Sequence, residues 1–238
     1  MVSPGAFLTT NRLLAELPPD EARGFLGMCE LVELEFAEIL AESGKRIRHV
    51  YFPTEGFIAL TTNPIDRRAS LEVSLVGNEG MLGSWLVLGV DVALLHAQVQ
   101  HSGQALRMDA ASFCSMLERC PALRRGLKRY LYVLMGQLAQ NAVCTRFHVV
   151  EARLARWLLM AQDRVHADSF HVTHEFLAYM LGVRRVGVTK AATALQHRKL
   201  ISYSRGNVTI VDRKGLETAS CGCYAADKAA YARIINPG

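Results

Sequence analysis

Between Thr173 and Ile201 the chain carries two apolar periods that cannot belong to one helix. Phe176, Leu177, Met180 and Leu181 recur three and four residues apart behind Thr173, a residue suited to cap a helix N-terminus. Gly182 stops that period where a helix end accepts a left-handed residue, and Val188, Ala191, Ala192 and Leu195 resume it toward Leu200. Two short helices joined this closely must cross steeply, which is the helix-turn-helix arrangement. In such a unit the second helix enters the DNA major groove and turns its N-terminal part to base edges. The residues predicted to face DNA are Thr173, Arg184, Arg185, Gly187, Thr189, Lys190 and, further on, Arg205, with Val186, Val188 and Ala191 turned inward. Arginine suits this role because its fork can bridge guanine O6 and N7. A two-helix packing unit with a solvated basic face is the competing reading.

The next residues bear on that choice. Ser202 to Asp212 reads as two short strands about Arg205-Gly206-Asn207, with Val208, Ile210 and Val211 as the apolar positions. A hairpin directly after a recognition helix is a wing, and Arg205 at its tip would meet a phosphate, adding affinity without sequence information.

The run Gly182-Val-Arg-Arg-Val-Gly-Val-Thr-Lys190 resembles the turn and recognition helix of the Crp/Fnr transcription regulators. Arg185 and Lys190 occupy the basic positions of that pattern. Val186 stands where the family has an acidic residue and Gly187 where it has Thr, so the best-known half-site of the family is not implied. The resemblance covers nearly the whole chain. It implies an α+β protein: an N-terminal double-stranded β-helix (jelly-roll) over residues 1–120, a dimerisation helix and hinge over 121–147, and a winged helix-turn-helix over 148–238. It also implies double-stranded DNA, a second copy of the chain and RNA polymerase as partners.

Charge follows the same division. Residues 1–143 hold 13 Lys and Arg against 15 Asp and Glu, whereas 144–238 hold 14 against 7, so the net +5 comes from the half with the helix-turn-helix. A polyanionic partner requires that asymmetry. The first ten residues lack the charged start and long apolar stretch of a secretory signal, and Leu131 to Thr145 is too short and too rich in amides for a membrane span. A cytoplasmic protein is expected, with Cys29, Cys114, Cys120, Cys144, Cys221 and Cys223 as thiols.

In the N-terminal half, short helices are predicted about Asn11–Asp20 and Glu21–Cys29. They precede β-type segments at Leu31–Ile39, Ile47–Phe52, Gly56–Thr62 and Leu71–Val76, punctuated by Gly44, Pro53, Gly56, Pro64 and Gly77. Many short strands imply a sandwich or jelly roll. Gly44 to Gly56 resembles the early β-roll of a cyclic-nucleotide-binding-like domain. The ligand pattern of that domain is not kept: Ser84 follows Gly83 where the ribose-binding Glu would stand, and Ala93-Leu-Leu-His-Ala97 lacks the phosphate-binding Arg. A buried phosphodiester without a cation is costly, so cyclic AMP in the usual mode is not expected and the effector is unknown. Gly77, Gly80, Gly83 and Ser84 form the candidate effector loop, with simple turns as the competing reading.

Asp109 to Cys120 reads as a short helix, and Pro121 opens a long one of about 24 residues, roughly 36 Å. Leu123, Leu127, Tyr130, Leu134 and Leu138 recur along it at helical spacing and are the predicted dimer seam, the alternative being burial within one subunit. Thr145 or His148 marks a hinge before an amphipathic helix from Val149 to Gln162. Asp163–Phe170 reads as a polar link, and Lys214–Tyr231 as helical with its pattern interrupted at Cys221-Gly222-Cys223.

No metal ligands are expected. His96 and His101 read as strand histidines, Cys29 alone cannot hold an iron–sulfur cluster, and Cys221 and Cys223 have no second pair near them in sequence. No catalytic motif is present: there is no phosphate loop ending in Gly-Lys-Ser/Thr, no Gly-x-Ser-x-Gly and no His-Glu-x-x-His. A haem-, thiol- or small-molecule-sensing module with another output, or an enzyme without a linear motif, remains the alternative to a DNA-binding regulator.

Overall fold

The computed structural model describes residues 10–62 and 71–235. Apart from Thr10, the residues read for a leader lie outside this range, as does Pro64. The described residues divide into two compact units, one spanning 10–60, 75–135 and 231–235, the other 61–62, 71–74 and 136–230.

The first unit opens with helices α1 (Arg12–Ala15) and α2 (Pro19–Leu26). Asn11 caps α1 by accepting a hydrogen bond from Leu13 N at 3.2 Å, and its fully buried amide donates to Pro53 O and Gly80 O at 2.9 and 3.0 Å. One polar side chain thereby ties a helix start to the end of a strand at Pro53 and to the loop at Gly80. Strands β1 (Glu30–Leu34), β3 (His49–Pro53) and β7 (Gly103–Asp109) form an antiparallel sheet in the order β1-β7-β3, in which Arg107 lies opposite both Glu30 and Tyr51. Strands β2 (Ile39–Ala41), β4 (Phe57–Thr62), β5 (Leu71–Val76) and β6 (His96–His101) form a second sheet in the order β2-β6-β4-β5. The stretch predicted as one strand from Leu31 to Ile39 is two, because the chain turns through Ala37, whose φ is +67°.

Helix α3 (Ala110–Arg119), capped by Asp109, leads to α4 (Pro121–Phe147), 27 residues long. Phe25, Phe52, Phe113, Met81 and Met108 make the centre of the core of this unit, and Leu123, Leu127 and Tyr130 of α4 pack into it.

The second unit contains α5 (Val150–Val165), β8 (Ser169–His171), α6 (His174–Leu181), α7 (Arg185–His197), β9 (Ile201–Ser204), β10 (Asn207–Ile210), α8 (Arg213–Ala219) and the start of α9 (Cys223–Ile235). Part of the stretch predicted as a polar link is a strand: β8 pairs with β10, placing Phe170 opposite Val208 and making a three-stranded sheet in the order β8-β10-β9. The helical stretch predicted from Lys214 is two helices, parted where Cys221-Gly222-Cys223 interrupts its pattern: Ser220 is extended after α8 and α9 starts at Cys223. Leu154, Leu158, Leu177, Val188, Ala192, Leu195 and Val208 are buried where these elements meet.

Candidate functional site

Three local devices set the geometry of α6, α7 and the hairpin. Thr173 Oγ1 accepts from Phe176 N at 3.1 Å and so starts α6. Gly182, at φ +62°, ends it in the left-handed conformation that a side chain would resist. The turn to α7 is then short, and α7 begins at Arg185 behind Arg184. At the hairpin, Arg205 and Gly206 both take positive φ, +49° and +83°, the two-residue turn whose twist matches that of its strands.

The buried face of α7 is Val188, Ala191, Ala192 and Leu195. Arg184, Arg185, Thr189 and Lys190 are exposed and Gly187 is half-buried. Val186, expected to turn inward, is 59% exposed, because two residues before Val188 is about 200° around a helix. Val211, expected as a strand position, lies past the end of β10 and is exposed. Thr173 and Arg205 are exposed at the start of α6 and the hairpin tip. The named cations therefore lie on one helix N-terminus and one turn of the same unit.

Sequence reading missed the side chain that joins these parts. His174 Nδ1 lies 3.1 Å from Thr189 Oγ1, and the His174 ring stacks on Tyr203 of β9. The Thr189 hydroxyl donates to Arg185 O, leaving its oxygen to accept from His174. One imidazole thus bridges the first helix, the second helix and the wing.

In the β-roll, Gly83 takes φ +91° before the short 3₁₀ turn Ser84–Leu88, and a Cβ at Gly83 would come within 2.8 Å of the Val50 side chain. Gly80 is held against the Tyr130 ring, where a Cβ would stand 2.3 Å from its hydroxyl oxygen. Gly77 N donates to Glu79 Oε1 at 3.2 Å. Of the candidate effector loop, Gly83 and Ser84 line a cavity of 410 Å³ shared with Lys45, Arg46, Arg48 and His49.

The predicted dimer seam does not face outward. Leu123, Leu127, Tyr130 and Leu134 are at most 3% exposed within their own chain, and Leu138 is half-buried. The apolar side chains that α4 leaves exposed are Tyr132, Met135, Val143 and Phe147. Periodicity announces an apolar stripe, but it cannot say which body the stripe packs against.

The expectation of no metal ligands also changes, since the second unit gathers a pair for Cys221 and Cys223. Cys144 Sγ lies 3.5 Å from Cys221 Sγ, Cys223 Sγ lies 3.5 Å from His148 Nδ1, and Gln140 Nε2 donates to Cys223 Sγ at 3.0 Å. All six cysteines are free thiols. Burial pushes the Cys29 thiol up to about 12, whereas the Cys221 hydrogen bond, with His148 and Arg156, draws Cys144 below the ordinary thiol range. The signal was in the sequence as two close pairs, Cys-x-x-x-His and Cys-x-Cys, set more than 70 residues apart.

Residues 152–219 match the family described as the Crp-like helix-turn-helix domain. No curated protein matches the chain. Among solved structures, FixK2 from Bradyrhizobium japonicum is similar with a TM-score of 0.68 at 13% identity, covering 81% of this chain and 98% of its own. The global regulator CLP of Xanthomonas campestris is similar with a TM-score of 0.62 at 14% identity, covering 81% and 99%. A CRP-family transcriptional regulator from Thermus thermophilus gives 0.63 at 19% identity, covering 79% and 96%. At these identities the likeness is one of fold, and the chain thus joins a Crp-like helix-turn-helix domain to the architecture of the Crp/Fnr transcription regulators.

Proposed function

We propose that the chain is a sequence-specific DNA-binding transcription regulator that acts as a cytoplasmic homodimer on a two-fold symmetric operator. The observation that carries this is the set of side chains α7 leaves exposed at its N-terminal end. Arg184, Arg185 and Lys190 supply charge and donors there, and Val186 supplies an apolar contact of the kind a thymine methyl group accepts. Arg205 at the hairpin tip supplies a phosphate contact outside the groove. No helix among the described residues is long and apolar enough to cross a membrane.

The dimer surface we assign is the exposed face of α4 about Tyr132 and Met135, with Val143 further along, in place of the buried leucines. Two recognition helices must stand about 34 Å apart to enter successive major grooves, so a change in how two copies of α4 pair would alter affinity. CLP is described as responsive to c-di-GMP, and Lys45 and Arg48 around the β-roll cavity, where Arg46 is paired with Asp91 and Glu42 is the one acidic lining residue, support an anionic ligand in this chain as well.

The decisive experiment is selection of bound duplexes from random DNA with the purified chain, without and with cyclic nucleotides. Enrichment of an inverted repeat with half-sites about one helical turn apart is expected. Failure to enrich any sequence under every condition would refute the reading.

A further inference from the structure

The cluster of three thiols and an imidazole in the second unit serves neither the DNA-facing side chains nor the apolar core. Cys144 and His148 stand four residues apart at the C-terminal end of α4, where His148 N donates to Cys144 O at 3.1 Å and keeps the helical spacing, so both side chains fall on one face. Cys221 and Cys223 flank Gly222 in the corner between α8 and α9, where the extended backbone at Ser220 redirects the chain. The four donor atoms from these two segments lie within 4.8 Å of one another.

Buried thiols that serve only packing sit among aliphatic and aromatic carbon. These do not. Cys144, Cys221 and Cys223 are 2%, 7% and 2% exposed, and they form a cluster of their own, with Ala152 the partly buried apolar neighbour packed against it. Their sulfurs point at one another and at the imidazole. A disulfide between Cys144 and Cys221 would use two of the four groups and leave the convergence of Cys223 and His148 without a purpose.

A tetrahedral ion with metal–sulfur bonds of about 2.3 Å and a metal–nitrogen bond of about 2.0 Å places neighbouring donors roughly 3.5–3.8 Å apart. The Cys144–Cys221 and Cys223–His148 separations are both 3.5 Å, so small side-chain adjustments close the set around a centre. Charge agrees. Three thiolates around a divalent ion carry one net negative charge. The guanidinium groups of Arg153 and Arg156 both act on Cys144, while Asp227, 2.7 Å from Arg156, offsets only one of them. Gln140 on Cys223 and Arg156 on Cys144 are outer-sphere donors that hold ligand sulfurs in place.

We propose that Cys144, His148, Cys221 and Cys223 form a Cys₃His site for a tetrahedral divalent transition metal, zinc being the ion its donors favour. Binding replaces three S–H bonds with three metal–sulfur bonds, releases three protons to solvent, and takes the imidazole nitrogen as a neutral donor, with no electron transferred. Because protein donors fill all four positions, the site is structural: it clamps the last turn of α4 to the α8–α9 corner. The assignment stands on the cluster alone and is independent of the DNA-binding reading.

The full chain, expressed without a metal-binding tag and purified in reductant, should contain about one zinc per chain by elemental analysis. Stripped of metal and titrated with Co²⁺, it should develop the visible and thiolate charge-transfer absorption of a tetrahedral cobalt–thiolate centre, saturating at one equivalent. Cys221→Ser and His148→Ala should each lose stoichiometric binding, Gln140→Ala should weaken it about tenfold, and Cys114→Ser should leave it unchanged. Absence of both zinc and the cobalt–thiolate absorption in the wild-type chain would overturn the proposal without reference to any variant. Retention of the full absorption in Cys221→Ser would overturn it as well.

Discussion

The His174 imidazole stacks on the Tyr203 ring with centroids 4.3 Å apart and planes inclined by 25°. Its Nε2 is buried and meets no hydrogen-bond partner among the described residues. Burial, reinforced by the Arg185 guanidinium, holds this histidine below its ordinary range. A proton added at Nε2 would have nothing to bond and a cation nearby. The unfolded chain takes up that proton at about pH 6.5, whereas the folded chain resists it, so this contribution to stability is present above about pH 6.5 and is lost as the pH falls below that value. His174→Phe keeps the stack and removes the titration. Denaturant unfolding at about pH 7.5 and about pH 5.5 should show a smaller loss on acidification for the variant than for the wild type; equal losses would remove His174 from the account.

Arg185 and Arg205 differ in what they should contribute to binding. Arg185→Ala should lower affinity for the selected operator by about 1–3 kcal/mol and relax preference at one base pair, as loss of a bidentate base contact does. Arg205→Ala should weaken binding to all sequences alike and reduce the salt slope by about one unit. Titrations of selected and random duplexes across a salt series separate the two. Equal effects of both variants on both duplexes would remove the base-reading role of Arg185.

The two faces of α4 should respond oppositely to substitution. Tyr132→Glu and Met135→Glu change exposed side chains, 59% and 56% accessible, and should shift a dimer toward monomer in sedimentation equilibrium with the fold intact. Leu127→Ala opens a cavity at a fully buried position and should cost about 2–5 kcal/mol of unfolding free energy. A dimer unaffected by charge at both Tyr132 and Met135 would place the interface elsewhere.

Glu72 is a second source of pH dependence, with the opposite sign. Its Oε2 accepts from Trp157 Nε1 at 2.9 Å, and burial raises the carboxyl from 4.5 to about 7, with Trp157, Arg164 and Arg156 pulling the other way. The folded chain therefore holds a proton that the unfolded chain releases. Stability from this group falls as the pH rises from about 4.5 to about 7 and is constant above that. Glu72→Gln keeps an acceptor for the indole N–H and should flatten the fall, gaining on the order of 2–3 kcal/mol above about pH 7. Urea unfolding of both proteins over that range is the measurement, and parallel profiles would refute the assignment.

Some of these features could be read locally and some could not. The helix-turn-helix was legible because Thr173, Gly182 and the period from Val188 to Leu195 specify caps, break and buried face within one stretch. The Arg205-Gly206 turn was legible for the same reason. The strand Ser169–His171 was hidden because three residues carry almost no period, and its pairing with β10 is what makes it a strand. Val186 faces outward although it is apolar, because two residues from the buried Val188 is more than half a helical turn.

Local chemistry along the chain is enough to specify the elements whose causes lie within about four residues of one another: capped helices, glycine breaks, a tight hairpin and the basic end of α7. Which surfaces those elements share depends on the packing of the whole chain. That packing turns Leu123, Leu127 and Tyr130 into the chain's own core and brings Cys144 and His148 to Cys221 and Cys223. Periodicity records that a face is apolar and spacing records that two donors are neighbours on one segment. Neither carries the distance between segments more than 70 residues apart, because that distance is set by how whole elements pack.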